Sequence, residues 1–276
     1  MFLAVVVVLY RKNHDNSPAL RSLLAKLSEI ESPTFKYKIF VWNNSPEFSS
    51  ALKNDSVTWL EGKNVRLPTV YNAVADMAFS AGADALLLSD DDTDYSHYDF
   101  PRNLEIVREF LADPNRRDTI GCFIPKIISG GRLVSPGGRR LFRGYLLEQV
   151  TSGLVDSHNL LAINSGTLIT RACYERMRPL YDERLNFYGT DTDFFVRHEN
   201  YYSQLYVFDS TVNHSLSADS NESPDRMLFR WHDNIQAMNV IFERTSFRFK
   251  LLMHAYYFLI KVKLAIRFRD KRFLKI

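Results

Sequence analysis

Leu86-Leu87-Leu88-Ser89-Asp90-Asp91-Asp92-Thr93 joins an apolar run to three consecutive carboxylates with no basic residue among them. The leucines read as the end of a buried strand. Adjacent aspartates repel one another and are poor strand and helix formers, so the cluster has a reason to be where it is. Hard cations such as Mg²⁺ or Mn²⁺ prefer carboxylate oxygens, which makes a divalent-metal site one reading. A solvated acidic loop capping the next helix is the other. Its position after a buried strand favours the metal, because ligands of open α/β sheets bind beyond the carboxyl ends of the strands.

Upstream of this stretch the chain alternates. Phe2–Tyr10 is a β-branched run and reads as a central strand. No basic region precedes it and Arg11-Lys12-Asn13-His14-Asp15 follows it, which argues against a signal peptide; it is also too short to span a bilayer. Ser17 caps a helix to Ile30 with Pro18 at its first position and Leu20, Leu23, Leu24 and Leu27 on one face. Tyr37–Trp42 and Val57–Leu60 are strands, Pro68–Ala81 is a helix stopped by Gly82, and Ala85–Ser89 is the strand feeding the aspartates. Strands that are continuous apolar runs, separated by helices, predict an α/β fold with a mixed, mainly parallel sheet flanked by helices.

Downstream, Pro101–Leu111 reads as a helix, Thr119–Ile128 as a strand and Gly130–Gly144 as an irregular Gly/Arg-rich stretch. Leu160–Thr170 reads as one strand, Arg171–Arg178 and Thr190–Asn200 as helices, and Gln204–Phe208 as a strand leading to Asn213-His214. The expected division is one domain over 1–220, its regular half ending at about 95, followed by a helical appendage over 221–276.

The first half, ending in Asp90 and Asp92, resembles the GT-A fold of family-2 glycosyltransferases, the nucleotide-diphospho-sugar transferases. Tyr181-Asp182-Glu183-Arg184-Leu185-Asn186-Phe187-Tyr188-Gly189-Thr190-Asp191-Thr192-Asp193-Phe194-Phe195-Val196-Arg197 is similar to that family's "fDErFf.y.eDvDlc.R" signature. The resemblance runs to about residue 220. It implies that Asp90 and Asp92 form the D-x-D motif holding Mn²⁺ or Mg²⁺, with His214 as a further ligand, and that Asp191 is the catalytic base. It further implies that Tyr10, Arg11, Asn43, Asn72, Asp90 and Asp91 contact the nucleotide-sugar. Asn43 stands where many members have Asp. Arg66 replaces the Gly expected between Asn64 and Asn72, and points either to the phosphates or to solvent. Thr190 replaces the Glu before the base. Asp191 is equally placed to cap a helix over Thr192–Asn200. Asp193 orients acceptor hydroxyls or Arg197, and Asn164 and Ser165 are expected near the acceptor.

The resemblance implies a catalytic domain over 1–220, nucleotide-binding to about 95 and acceptor-binding after it, in an inverting, metal-dependent enzyme using a UDP- or dTDP-sugar, akin to the rhamnosyl-, galactosyl- and galactofuranosyltransferases of bacterial surface polysaccharide synthesis. Two other classes remain: a GT-A-like domain that binds sugar nucleotide or glycan without transfer, and a nucleotidylyltransferase, whose Gly-rich phosphate loop after the first strand is absent. The residue two after Asp92 is Asp94, against a haloacid-dehalogenase phosphatase, and the sixth position from Asp90 is Tyr95, against an EF-hand. No Walker A, G-x-G-x-x-G or G-x-S-x-G is present. Arg230-Trp231 matches only two residues of the processive Q-x-x-R-W motif.

The 276 residues carry a net charge of +3, and 46% hydrophobic against 24% charged residues is ordinary for a globular chain. Cys122 and Cys173, the two cysteines, read as reduced core residues. Charge is lopsided: residues 247–276 hold nine Lys/Arg and one Asp, whereas the rest holds 26 basic and 31 acidic residues. Residues 223–242 and Ser246–Phe268 read as helices. The second has an aromatic face of Phe249, Leu252, Met253, Tyr256, Tyr257, Ile260 and Leu264, which fits either an anionic leaflet or the catalytic domain. The leaflet reading places the protein in the cytoplasm, on the inner face of the inner membrane, beside a lipid-linked saccharide acceptor. No nucleic-acid recognition module accompanies the basic residues.

Overall fold

The computed structural model describes all residues except 214–222. In chain order its elements are β1 (Phe2–Leu9), α1 (Pro18–Ile30), β2 (Lys36–Asn43), β3 (Val57–Glu61), α2 (Leu67–Ser80), β4 (Ala85–Asp90) and α3 (Phe100–Ala112). There follow β5 (Ile120–Ser129), β6 (Arg132–Ser135), β7 (Gly137–Arg140), β8 (Arg143–Leu146), β9 (Gly153–Asp156), β10 (Leu160–Leu161), β11 (Leu168–Thr170), α4 (Arg171–Met177), α5 (Thr190–His198) and β12 (Gln204–Asn213). Two long helices, α6 (Pro224–Ile241) and α7 (Phe247–Phe268), come last.

One sheet organises the molecule, in the order β3-β2-β1-β4-β11-β5-β12-β9, with β6 paired to β5. The first four strands are mutually parallel, β11 is antiparallel to both β4 and β5, and β12 is parallel to β5. Val5, Val6, Val7, Leu86 and Leu88 are fully buried because helices cover both faces, which is why these strands are apolar at every position instead of alternating. Leu20, Leu23 and Leu27 of α1 pack on one face; Val70, Val74 and Ala78 of α2 pack on the other. The α/β architecture predicted from the alternation is present.

Two stretches differ from expectation. Residues 130–144 are ordered as β6, β7 and β8, the last two making a separate three-stranded sheet with β10. Glycine pairs hide such strands from a propensity reading: added Cβ atoms at Gly137 and Gly138 would lie 2.7 Å from the Tyr145 carbonyl oxygen and 2.3 Å from its ring. Leu160–Thr170 is two strands in different sheets. The chain turns between them through Asn164-Ser165-Gly166, with Gly166 at φ +83° and packed on Pro125.

The C-terminal helices are joined to the rest by a small core of Phe142, Ile235, Met238, Phe242, Met253 and Tyr257. Most of the aromatic face expected to meet a membrane therefore turns inward: Met253, Tyr257 and Leu264 are buried, and Phe249 and Tyr256 pack on Phe142. No helix among the described residues is long and apolar enough to cross a membrane.

Candidate active site

Asp90 closes the β1–β4 ladder opposite Val8, so Asp91 and Asp92 lie just past the carboxyl edge of the sheet. All three carboxylates line a cleft of about 550 Å³ together with Tyr10, Lys12 and Asn44. Its opposite wall is Asn186, Phe187, Tyr188 and Phe229.

Each aspartate has a different setting. The Ser165 hydroxyl donates to the Asp90 carboxylate at 2.8 Å and accepts from its N–H at 2.9 Å, while the Tyr71 hydroxyl donates to the other oxygen at 3.3 Å. Asp91 forms an ion pair with Lys12 and accepts from the Tyr10 N–H at 3.3 Å. Burial raises its pKa, and Lys12 opposes that rise. The Asp91 carbonyl also accepts from the Ser17 hydroxyl at 2.8 Å, tying the start of α1 to the triple aspartate. Asp91 thus fastens the loop after β1. Beyond the cluster, the Asp94 N–H donates to the Asn213 carbonyl at 3.1 Å. His214, the expected third ligand, follows Asn213 and lies outside the described residues.

Asp191 sits on the far side of Asp90. It lies in the first turn of α5, one residue inside the helix start, so it is not the N-cap predicted for a helix from Thr192; that position is Gly189 at φ +82°. The glycine is required twice over, since an added Cβ would lie 2.6 Å from Ala237 Cβ on α6. The Asn164 N–H donates to the Asp191 carboxylate at 3.3 Å. Burial, reinforced by the Asp90 charge, pushes its pKa up to about 7 against the pull of that N–H. Asp191 also borders a second cavity of about 280 Å³, formed with Thr192, Ile163 and the β7–β8 hairpin residues Gly137, Gly138 and Tyr145. Asp90 of the cleft and Asp191 of the second cavity are thus tied to adjacent residues of one loop, Ser165 and Asn164.

Several expected ligand contacts are committed elsewhere. Asn43 is fully buried, its amide donating to the Ser49 carbonyl and accepting from the Ser45 N–H. Asn72 pairs with both the N–H and the carbonyl of Tyr181 and with Glu183, clamping the segment before α5. Neither lines the cleft. Arg11 stacks over Tyr10, 5.3 Å from the ring centre, and Arg66 donates to the Glu183 carbonyl at 3.3 Å, so its guanidinium serves the chain fold instead of the cleft. Asp193, expected to meet the acceptor, is buried, accepting from the Asp182 N–H at 3.0 Å and pairing with Arg197 at 3.6 Å. Ser165 is spent on Asp90. Asn164 keeps one amide face: its oxygen accepts from the Tyr181 hydroxyl at 2.9 Å, and its buried Nδ2 has no partner.

Residues not foreseen complete the wall. Asp233 of α6 accepts from the N–H groups of Phe187 and Tyr188 at 3.2 and 2.8 Å, fixing both rings at the cleft. Arg230 Nε donates to the Tyr188 hydroxyl at 3.2 Å, and the Phe229 ring lies 6.3 Å from that of Tyr188. Asn44 lines the cleft while bridging both backbone groups of Val65.

Among the described residues no group of three or more His, Cys, Asp or Glu forms a cage. Mg²⁺-type sites are held by one or two carboxylates, completed by substrate phosphates and water. Asp90 and Asp92, both lining the cleft, fit that mode.

The fold is the GT-A fold of solved glycosyltransferases. The chain is similar to GalNAc-T7, solved with UDP, GalNAc and Mn²⁺, at TM-score 0.61 and 13% identity, over 99% of this chain and 55% of that one. It is similar to S. aureus TarS 1–349 in complex with UDP-GlcNAc at TM-score 0.54 and 13% identity, over 88% and 67% of the two chains. A further structure of TarS 1–349 gives TM-score 0.51 and 11% identity, over 89% and 73%. This chain thus spans about half the length of GalNAc-T7. No family model and no curated protein matches the sequence.

Proposed function

We propose that this chain is an inverting, metal-dependent glycosyltransferase that moves a sugar from a UDP- or dTDP-sugar to a hydroxyl of a glycan. The observation that carries the reading is a pairing held by one loop: Ser165 binds Asp90, which lines a nucleotide-sized cleft, and Asn164 binds the buried Asp191, which borders a second cavity. The similarity to folds solved with UDP, UDP-GlcNAc and Mn²⁺ supports the donor class.

In this reading the donor occupies the larger cleft and the acceptor the smaller cavity. The acceptor oxygen attacks the anomeric carbon; the bond from that carbon to the diphosphate oxygen breaks, and its electron pair leaves with the diphosphate. Asp191 accepts the acceptor's hydroxyl proton as the new bond forms, and a pKa near neutrality suits a general base. A base on the face opposite the departing group gives inversion. Asp90 and Asp92 would hold Mn²⁺ or Mg²⁺, which when bound neutralises charge on the diphosphate as a Lewis acid. Lys12, held at the cleft by Asp91, adds a cation there, and the Phe187, Tyr188 and Phe229 rings offer apolar faces for base or sugar.

A lipid-linked saccharide at the cytoplasmic face of an inner membrane, as in surface polysaccharide synthesis, is the acceptor the basic C-terminal helix supports. The decisive experiment offers purified protein a panel of UDP- and dTDP-sugars with Mn²⁺ and follows nucleotide diphosphate release. Turnover of one donor that depends on Asp191 supports the reading; binding without turnover of any donor, with or without glycan acceptors, overturns it in favour of a sugar-nucleotide-binding protein.

A further inference from the structure

The helix α7 has two apolar faces. One is packed inward against α6 and Phe142, through Met253 and Tyr257. The other has no cover: Phe247, Leu251, Phe258, Leu259 and Ile266 are exposed, Phe247 at 78% and Ile266 at 73%. At 3.6 residues per turn these side chains fall on a single stripe running the length of the helix, with Leu252 at its margin. Scattered exposed leucines need no explanation, but a continuous stripe of this length does.

The charges around it identify the occupant. By the same periodicity Lys250 borders one side of the stripe, Lys263 and Arg267 border the other, and Arg248 lies near its start. Lys271 and Lys275 follow the helix, and both are exposed. The single acidic residue of this region, Asp270, is already engaged by Arg272 at 2.8 Å. An apolar stripe edged by cations matches an anionic bilayer, where the rings and leucines enter the acyl boundary and the cations meet headgroups. A second copy of this chain fits poorly, because a two-fold contact would bring the same basic borders together.

We propose that this outer stripe of α7, and not the inward aromatic face, is the surface by which the protein docks on anionic lipid. The inference rests on the membrane reading above and specifies its contact surface; it is independent of which sugar is transferred. With α7 lying in the membrane plane, its inner face carries Phe142, which joins β7 to β8, so the hairpin lining the second cavity sits next to the lipid surface.

The test is flotation of the full chain with phosphatidylglycerol-containing and with purely phosphatidylcholine vesicles. Variants are Leu251→Ser/Phe258→Ser/Leu259→Ser on the outer stripe and Lys263→Glu/Arg267→Glu on its border. All are exposed, so folding survives, as circular dichroism and donor binding check. Outer-stripe substitution is expected to weaken partitioning onto anionic vesicles at least about tenfold, the charge variant to remove the preference for anionic lipid, and high salt to mimic it. A wild-type chain that floats while the stripe variant floats equally well overturns the stripe and leaves the membrane reading standing. A wild-type chain that floats with neither vesicle overturns both. Loss of a solution dimer in the stripe variant, without any change in flotation, assigns the stripe to a second copy and overturns the proposal.

Discussion

Asp90 and Asp191, distant in the chain, are held by consecutive residues of one loop: Ser165 donates to the first at 2.8 Å and the Asn164 N–H to the second at 3.3 Å. The spacing between Asp90 and Asp191 is therefore set by two neighbouring residues, and the loop that carries them is where the proposed mechanism is most exposed to test.

Ser165→Ala removes the hydroxyl that both donates to Asp90 and accepts from its N–H. Hydrogen bonds to charged groups contribute about 1.5–3 kcal/mol, so turnover is expected to fall about ten- to a hundredfold. Donor KM rises with it, and Ser165→Thr restores part of the loss. Steady-state kinetics check both.

Asp191→Asn is expected to bind UDP with Mn²⁺ as the parent does and to lose transfer by about 10²–10⁴-fold. The same change alters stability. Asp191 has a folded pKa of about 7, above that of an ordinary aspartate, so the folded state holds a proton the unfolded state has released, and stability declines as pH rises towards 7. The Asn variant escapes this decline. Without metal or nucleotide it should melt at a higher temperature than the parent at pH 8 and at nearly the same temperature at pH 4, as read by calorimetry in EDTA.

Asp91 and Asp92 are neighbours with different expected effects. Asp92→Ala should abolish metal-dependent nucleotide binding. Asp91→Asn should keep the metal dependence but release Lys12, weakening donor binding about three- to tenfold with a matching effect from Lys12→Met, since a half-buried ion pair is worth about 1 kcal/mol. Titration calorimetry with UDP, with and without Mn²⁺, separates the two.

His198 is fully buried, stacked on Tyr202 with ring centres 5.0 Å apart, and burial lowers its pKa to about 4. The unfolded chain protonates its histidine near pH 6.5 and the folded chain does not until about pH 4. The stabilisation is complete above 6.5 and disappears as pH falls to 4, a loss of up to about 3 kcal/mol. His198→Phe should flatten this part of the stability profile in urea titrations between pH 7 and 4, whatever it does to stability at pH 7.

The first half was legible because its strands are buried on both faces and read as unbroken apolar runs, with Pro18 and Gly82 marking helix ends. Asp90 and Asp92 stood out as clustered carboxylates at a strand end, whereas Asp191 was singled out only by the resemblance of its stretch to a family signature. Asn43 and Asn72 misled for a physical reason: a buried amide satisfied by backbone and a ligand-facing amide are the same residue type, and only the packing of Ser49 or Tyr181 beside them separates the two. Lys12, Asn44 and Phe229 carried no local signal: the first two are held at the cleft by Asp91 and Val65, and Phe229 comes to it from α6. The turn at Asn164-Ser165-Gly166 did carry one, a polar trio ending in glycine inside an apolar run. Reading through it merged two strands into one.

The antiparallel strand β11 lies between β4 and β5, although it is made after both. During synthesis, then, β4 stays an open sheet edge and Asp90 lacks its serine until the ribosome has passed residue 170. A chain stopped anywhere before that point keeps an adhesive strand edge in place of a closed sheet.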